Sequence, residues 1–142
     1  MHFEDLSRYR YIPNVEKGCA YNIGWLDGEH PFPTGNVDWV FLDIINSLLL
    51  SRVMHTRGIH ACNICDPEKI IEMKIRGNKI LLGTAEIRVF SSSGKVYAAP
   101  DLLVHYILEH SYCPPGEFLK ALQDGPLPPN EEYRKKIQIR GL

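Results

Sequence analysis

The sequence predicts an α+β fold, with a small antiparallel sheet of hairpins packed on helices and a zinc-finger-like unit of Cys-x-x-Cys knuckle, hairpin and helix. Three changes of pattern predict it. Apolar residues recur at helical spacing between residues 37 and 53, the period becomes two from residue 57 to residue 98, and helical spacing returns after Pro100. With 142 residues the chain has the length of one domain, enough for folding to hide roughly two thirds of the extended chain's surface. Its expected parts are loops and a buried helix over 1–56, a zinc-binding hairpin-helix unit over 57–113, and short helices over 114–142.

The first thirty-five residues are rich in aromatics, glycine and proline, as in Tyr9, Tyr11, Tyr21, Trp25, Pro31, Phe32 and Pro33, and read as short strands and ordered loops wrapping the core. Asn36 is the expected N-cap of a helix to about Val53, with Asp38 near its positive end. Asp43, Asn46, Ser47 and Ser51 share one stripe, which leaves Val40, Phe41, Ile44, Ile45, Leu48 and Leu49 to face protein over a wide arc and predicts a central buried helix. Strands are expected near 57–61, 70–75, 79–83, 84–90 and 95–98. In the fourth, Ala85, Ile87 and Val89 fall on one face and Glu86 and Arg88 on the other. Arg76-Gly77-Asn78 and Ser92-Ser93-Gly94 supply the turns. Pro100 at a first helical position and Asp101 in the first turn open a helix carrying Leu102, Leu103, Tyr106 and Ile107, which Pro114-Pro115 stops after His110. Two short helices follow near 115–123 and 130–138.

A composition of 44% hydrophobic and 23% charged residues with net charge -1 excludes a disordered or strongly charged tail protein. No basic segment precedes an apolar run at the start, and the longest apolar stretch, Trp39 to Leu50, is too short to span a bilayer and contains Asp43. A cytoplasmic location with no membrane partner is therefore expected. In a reducing compartment Cys19, Cys62, Cys65 and Cys113 are not a disulfide framework, so the close pair Cys62 and Cys65 points to metal or redox chemistry.

Cys62-Asn63-Ile64-Cys65 sets two thiols on a tight knuckle, and His105 and His110 fall at the end of the helix after the hairpins. Two sulfurs and two imidazole nitrogens are what zinc takes in a tetrahedral site. Residues five apart lie about 140° apart on an ideal helix, so both imidazoles reach one ion only if the last turn tightens or unwinds, near Ser111 to Pro115. His60 and Cys113 are the substitute ligands. A thioredoxin-like redox pair does not fit, because Asp66-Pro67 and further strands follow where that motif opens a helix.

Phe3-Glu4-Asp5-Leu6-Ser7, the stretches Asn22 to Asp27 and His30 to Gly35, the Cys62 to Cys65 knuckle, Gly83 to Val89, and Tyr97 to Pro100 through His105, His110 and Pro114-Pro115 resemble a family of uncharacterised bacterial proteins. The resemblance covers most of the chain and implies a bacterial source and one conserved unit, with no activity attached. The metal half resembles an enlarged two-Cys two-His zinc finger in ligand pattern alone, which imports no DNA binding.

Four protein ligands close a zinc site, so the expected function is that of a small zinc-binding protein, its zinc structural, acting on a protein partner. The loop Asn22 to Gly35 is its candidate surface, with Trp25 and Phe32 as anchors and Asp27 and His30 on the rim. The bland reading of Trp25 and Phe32 is core packing. One alternative is a nucleic-acid binder using Arg52, Arg57, Lys69, Lys74, Arg76, Lys79, Arg88 and Lys95. It predicts weak, non-specific affinity, since the helix after Pro100 is apolar and Asp101 repels phosphate. The other is a zinc-dependent hydrolase with an open site, in which Cys62, Cys65 and His105 hold the metal and Glu109 or Glu86 is the general base. No deaminase signature, nucleophile elbow, P-loop or dinucleotide fingerprint is present.

Overall fold

A computed structural model describes residues 1–142, in mixed α+β architecture with four helices and two small sheets. The chain enters the larger sheet at β1 (Tyr21–Asn22), which lies parallel to a later strand, so this sheet is mixed where an antiparallel one was expected. The helix that follows starts two residues later than predicted. Asp38, and not Asn36, has the extended cap conformation, and its carboxylate accepts the Val40 N–H at 3.1 Å. Helix α1 (Trp39–Leu49) then ends short of Val53, which instead exchanges two backbone hydrogen bonds with Glu86 at the sheet edge.

Nor is α1 central. Ile45, Leu48 and Leu49 form its buried stripe, while Trp39 is 74% exposed and Val40 and Leu50 also face solvent. The stripe at i, i+3 and i+4 covers one contact face, against the third helix and the sheet, and the apolar residues of the first turn lie beyond it.

Strands β2 (Glu72–Ile75) and β3 (Asn78–Leu81) make the smaller sheet, joined by Arg76-Gly77. Both turn residues have positive φ, 48° and 81°, as a two-residue hairpin turn requires, and glycine supplies the second at no steric cost. The expected strand at 57–61 is absent. His60 donates to the Gly83 carbonyl at 2.8 Å, but no ladder develops, and this segment runs as an irregular connection.

Strands β4 (Glu86–Phe90) and β5 (Val96–Pro100) form the central hairpin, with β1 on the far side of β5. Alternation places Glu86 and Arg88 opposite Ile87 and Val89, yet all five residues of β4 are buried. The polar face is covered by the chain's two ends. Arg88 donates to Glu86 and to Glu16 at 2.8 Å each, Arg140 also reaches Glu16, and the Tyr9 hydroxyl donates to Glu86 at 2.9 Å. Two carboxylates and two guanidinium groups balance in charge, which makes the burial of Arg88 tolerable.

Pro100 closes β5 and is not the first residue of the next helix. Asp101 is fully buried and accepts backbone N–H groups from Gly83, Thr84 and Ala85 together with the Arg52 guanidinium at 2.8 Å. Helix α2 (Leu103–His110) therefore begins only after it. The last two helices fall where the sequence placed them, α3 (Gly116–Asp124) and α4 (Glu131–Ile139), the latter capped by Asn130, which accepts the Glu132 N–H. No helix is long and apolar enough to cross a membrane.

Candidate metal centre

The knuckle is built by backbone pairing. Cys62 donates to the Lys69 carbonyl at 2.9 Å and accepts from Lys69 N–H, closing the loop between them. Inside that loop Cys62 is fully buried. Burial raises the Cys62 pKa above its ordinary value, the neighbouring Cys65 adding to it and the nearby backbone N–H groups of Cys65 and Ile64 opposing it. A buried thiol of this kind is stabilised as thiolate by a cation.

Helix α2 brings the imidazoles together by widening its end. The Ser111 N–H skips the usual partner and donates to the Tyr106 carbonyl five residues back, the Tyr112 N–H reaches the same carbonyl at 3.1 Å, and Ser111 is in the left-handed region at φ 56°. A five-residue closure is the π-type repeat. The His105 and His110 rings come together at this end, with centroids 5.1 Å apart. An ideal last turn would hold the two imidazoles apart, and in the structure that turn opens.

The result is a four-donor cluster. Cys65 Sγ lies 3.4 Å from both His105 Nε2 and His110 Nε2, and Cys62 Sγ lies 3.5 Å from His110 Nε2. All four ligand atoms are within 4.8 Å of one another. In a tetrahedral zinc site the bond lengths to sulfur and imidazole imply sulfur–nitrogen separations of about 3.6 Å, so these side chains could hold one metal ion with little movement. Cys62 and His105 are buried, and Cys65 and His110 are half-buried. Burial, then the charge of His110, lowers the His105 pKa, which favours the neutral imidazole that a metal requires.

The remaining sequence candidates lie elsewhere. His60 is exposed and its ring nitrogen sits 3.4 Å from the Tyr11 hydroxyl, while the Cys113 thiol packs against Gly35, so neither replaces a member of the cluster. Glu86 belongs to the buried network under β4 and cannot act as a base at this centre. Glu109 is exposed on α2 beside the histidines.

The loop Asn22 to Gly35 divides into core and rim. Trp25 is not a surface anchor: it is buried, donates from its indole to the Ala98 carbonyl at 3.0 Å, and packs edge-on against Phe3 and Tyr11. An indole with its one donor satisfied by a strand carbonyl is a packing residue. Phe32 is half-buried against Tyr112, whereas the exposed His30 ring nitrogen lies 2.9 Å from the Asp27 carboxylate. The modest burial of Asp27 would raise its pKa, but hydrogen bonds from the His30 ring and from the His30 and Glu29 N–H groups bring it down to about 2. The loop also supports the knuckle. A Cβ on Gly28 would lie 2.7 Å from the Asn63 carbonyl oxygen, so only glycine permits this approach.

Three residues that matter here escaped the sequence reading. The Tyr106 carbonyl sets the helix end, the Lys69 backbone closes the knuckle, and Trp39 is the large exposed aromatic that Trp25 was expected to be. Only Trp39 carried a local signal, since it directly follows the true cap, Asp38.

Fold and cluster together define a small α+β domain with a Cys2His2 cluster that could hold a metal ion. The chain belongs to the family described as Domain of unknown function (DUF7919), whose model matches residues 1–123 and so includes all four members of the cluster. No curated protein and no solved structure matches it. Helix α4 lies beyond the matched residues, joined to the rest through Tyr133, whose hydroxyl donates to the Arg88 carbonyl, and through Arg140.

Proposed function

We propose that Cys62, Cys65, His105 and His110 hold one zinc ion, that this zinc is structural, and that the protein works through contact with another protein. One observation carries the metal reading: two sulfurs and two imidazole nitrogens converge from a knuckle and a helix end at separations of 3.4 to 3.5 Å. Thiolate with imidazole in a tetrahedron suits zinc better than the oxygen-seeking cations. Bound there, the ion would supply a crosslink between knuckle and α2. The Gly28 contact would hold the knuckle in place. Four protein ligands leave no position for water, which supports a structural over a hydrolytic role.

The basic middle of the chain gives the nucleic-acid alternative little support. Arg52, Arg76, Lys79, Arg88 and Lys95 each have an acidic partner, at Asp101, Asp43, Glu72, Glu16 and Glu117 respectively. Any affinity for DNA or RNA is accordingly weak, salt-dependent and indifferent to sequence. For a protein partner, the exposed Trp39 and Val40 follow the Asp27, His30 and Phe32 rim along the chain, and an aromatic bordered by polar groups is the usual composition of an interface hot spot.

The deciding experiment is metal analysis after chelator-free purification. About one zinc per chain is expected, and Cys62→Ser should lose it. A metal content near zero overturns the reading. Affinity isolation from the native host, with Trp39→Ala as the comparison, tests the partner: the same captured proteins with and without Trp39 would remove this surface from the proposal.

A further inference from the structure

The smaller sheet has two edges, and they differ. Ile75 and Asn78 flank the two-residue turn, and the Leu82 N–H donates to the Ile71 carbonyl at 2.9 Å, so Ile71, Met73 and Ile75 turn their backbone groups toward β3. Ile70, Glu72 and Lys74 therefore turn theirs outward, where no other segment of the chain pairs with them. The opposite edge is occupied: the outward carbonyl of Leu81 on β3 accepts from Arg52 at 2.9 Å and from the Thr84 hydroxyl at 3.2 Å.

The free edge borders a groove of about 330 Å³, whose other wall is formed by His105, Leu108 and Glu109 of α2. Ile70 is 57% and Leu108 50% exposed, and Met73 between them is half-buried. Charge along the edge is unbalanced. Glu72 is paired with Lys79 at 2.9 Å, but Lys74 lies directly opposite Lys79 in the register, and neither Lys74 nor Lys69 has an acidic partner. Like charges directly opposite on a sheet destabilise it.

We propose that an extended segment of a partner protein adds to β2 as an antiparallel third strand, with acidic side chains on the solvent face and apolar ones turned into the groove. Outward N–H and C=O groups at every second residue match the repeat of an extended backbone, which is how strand addition gains affinity. A carboxylate beside Lys74 offsets the clash with Lys79, whereas Glu109 on the helix wall repels acid inside the groove and leaves Met73 and Leu108 to receive an apolar side chain. This surface shares with the function proposed above only the need for a protein partner, and it uses none of the residues named around Trp39.

The probe is the peptide acetyl-Glu-Val-Glu-Val-Glu-Val-amide, titrated into the isotope-labelled full chain while the Ile70, Glu72 and Lys74 amides are followed by NMR. Saturable shifts and slowed hydrogen exchange are expected at these three amides. The corresponding Lys-Val peptide, and the Glu-Val peptide N-methylated at its glutamates, should each bind at least about fivefold more weakly. Glu72→Pro removes the central outward donor without taking a hydrogen bond from β3, and should weaken binding by at least about fivefold. If that variant loses fold, Lys74→Glu at an exposed side chain serves in its place and should act in the same direction. Trp39→Ala should bind the peptide as the unaltered chain does, so this surface and the one around Trp39 stand or fall separately. No saturable shift, equal affinity for either control peptide, undiminished binding in a folded edge variant, or loss of binding in Trp39→Ala overturns the proposal. So does sedimentation of the chain alone as a dimer that the edge variant converts to a monomer, which would place a second copy on this edge.

Discussion

Single side chains carry an unusual share of this fold because several are charged and dry. Asp101 is the clearest, fully buried with three backbone N–H donors and Arg52 around one carboxylate. It ties the irregular turn at Gly83 to the start of α2, and so fixes the helix that presents both histidines. Asp101→Asn keeps the shape but places an amide group where only acceptors fit. It should destabilise by about 3 kcal/mol, the usual cost of breaking a buried charged network from one side, measured by denaturant unfolding. A loss below about 1 kcal/mol would show that water or rearrangement replaces the carboxylate. The two tryptophans make an opposite pair. Trp25→Ala should cost about 3 to 5 kcal/mol as a core truncation, while Trp39→Ala, at a side chain 74% exposed, should change stability by less than about 0.5 kcal/mol. Equal effects at the two positions would contradict the placement of Trp25 in the core and Trp39 outside it.

Elements were legible where one local rule decides them, and obscure where distant chain covers them. The hairpin at Arg76-Gly77 and helices α3 and α4 follow from turn residues, a cap and periodicity, and they appear where expected. The four metal-cluster residues were legible because ligand chemistry restricts residue type and spacing. The alternation of strand β4 was legible but the burial of its polar face was not, because that face is closed by Glu16 and Arg140, residues no window around it contains. Pro100 and Asp101 resemble a helix start in every local respect, and only the long-range partners of Asp101 reveal the turn. The end of α2 lies between these cases, since the need for distortion could be inferred but its direction could not. It supports a prediction. Ser111 sits at φ 56° with no side-chain hydrogen bond, so Ser111→Gly should gain about 1 kcal/mol by relieving the left-handed strain and leave metal affinity intact. Ser111→Val should lose stability and loosen the metal together, because the opened turn aligns His110 with His105. Zinc competition with a chromophoric chelator reads the second effect, and an unchanged affinity in the valine variant would detach the helix end from the metal.

At the scale of the whole molecule, two unlike devices join distant parts of the chain. The ion network under β4 binds the N-terminal segment to the C-terminal one through Glu16, Glu86, Arg88 and Arg140, while the metal cluster binds the knuckle to α2. The family match stops at residue 123, so the first device uses a residue beyond the matched region and the second lies wholly inside it. Acid should separate them. The buried His105 has a pKa below that of the unfolded chain, so the unfolded state takes up the proton more readily and stability falls with falling pH. Its neutral-ring contribution is complete above about pH 6.5, the unfolded value, and is lost as pH drops through the lower folded value. The Cys62 thiol, raised by burial, shows the opposite sign in the metal-free chain and costs stability at alkaline pH. Zinc removes that alkaline loss, since a coordinated sulfur stays deprotonated inside the fold, and sharpens the acid one, because protons then compete with the metal for all four ligands. The metal-loaded protein should therefore hold its melting temperature from neutral to alkaline pH and release zinc cooperatively with unfolding of the knuckle on the acid side. The chelated protein should melt lower and weaken in both directions. Parallel melting curves from about pH 5 to about pH 11, a range that passes the unfolded thiol value, with released zinc measured alongside test this, and identical pH profiles with and without metal would mean that the cluster does not stabilise the fold through an ion.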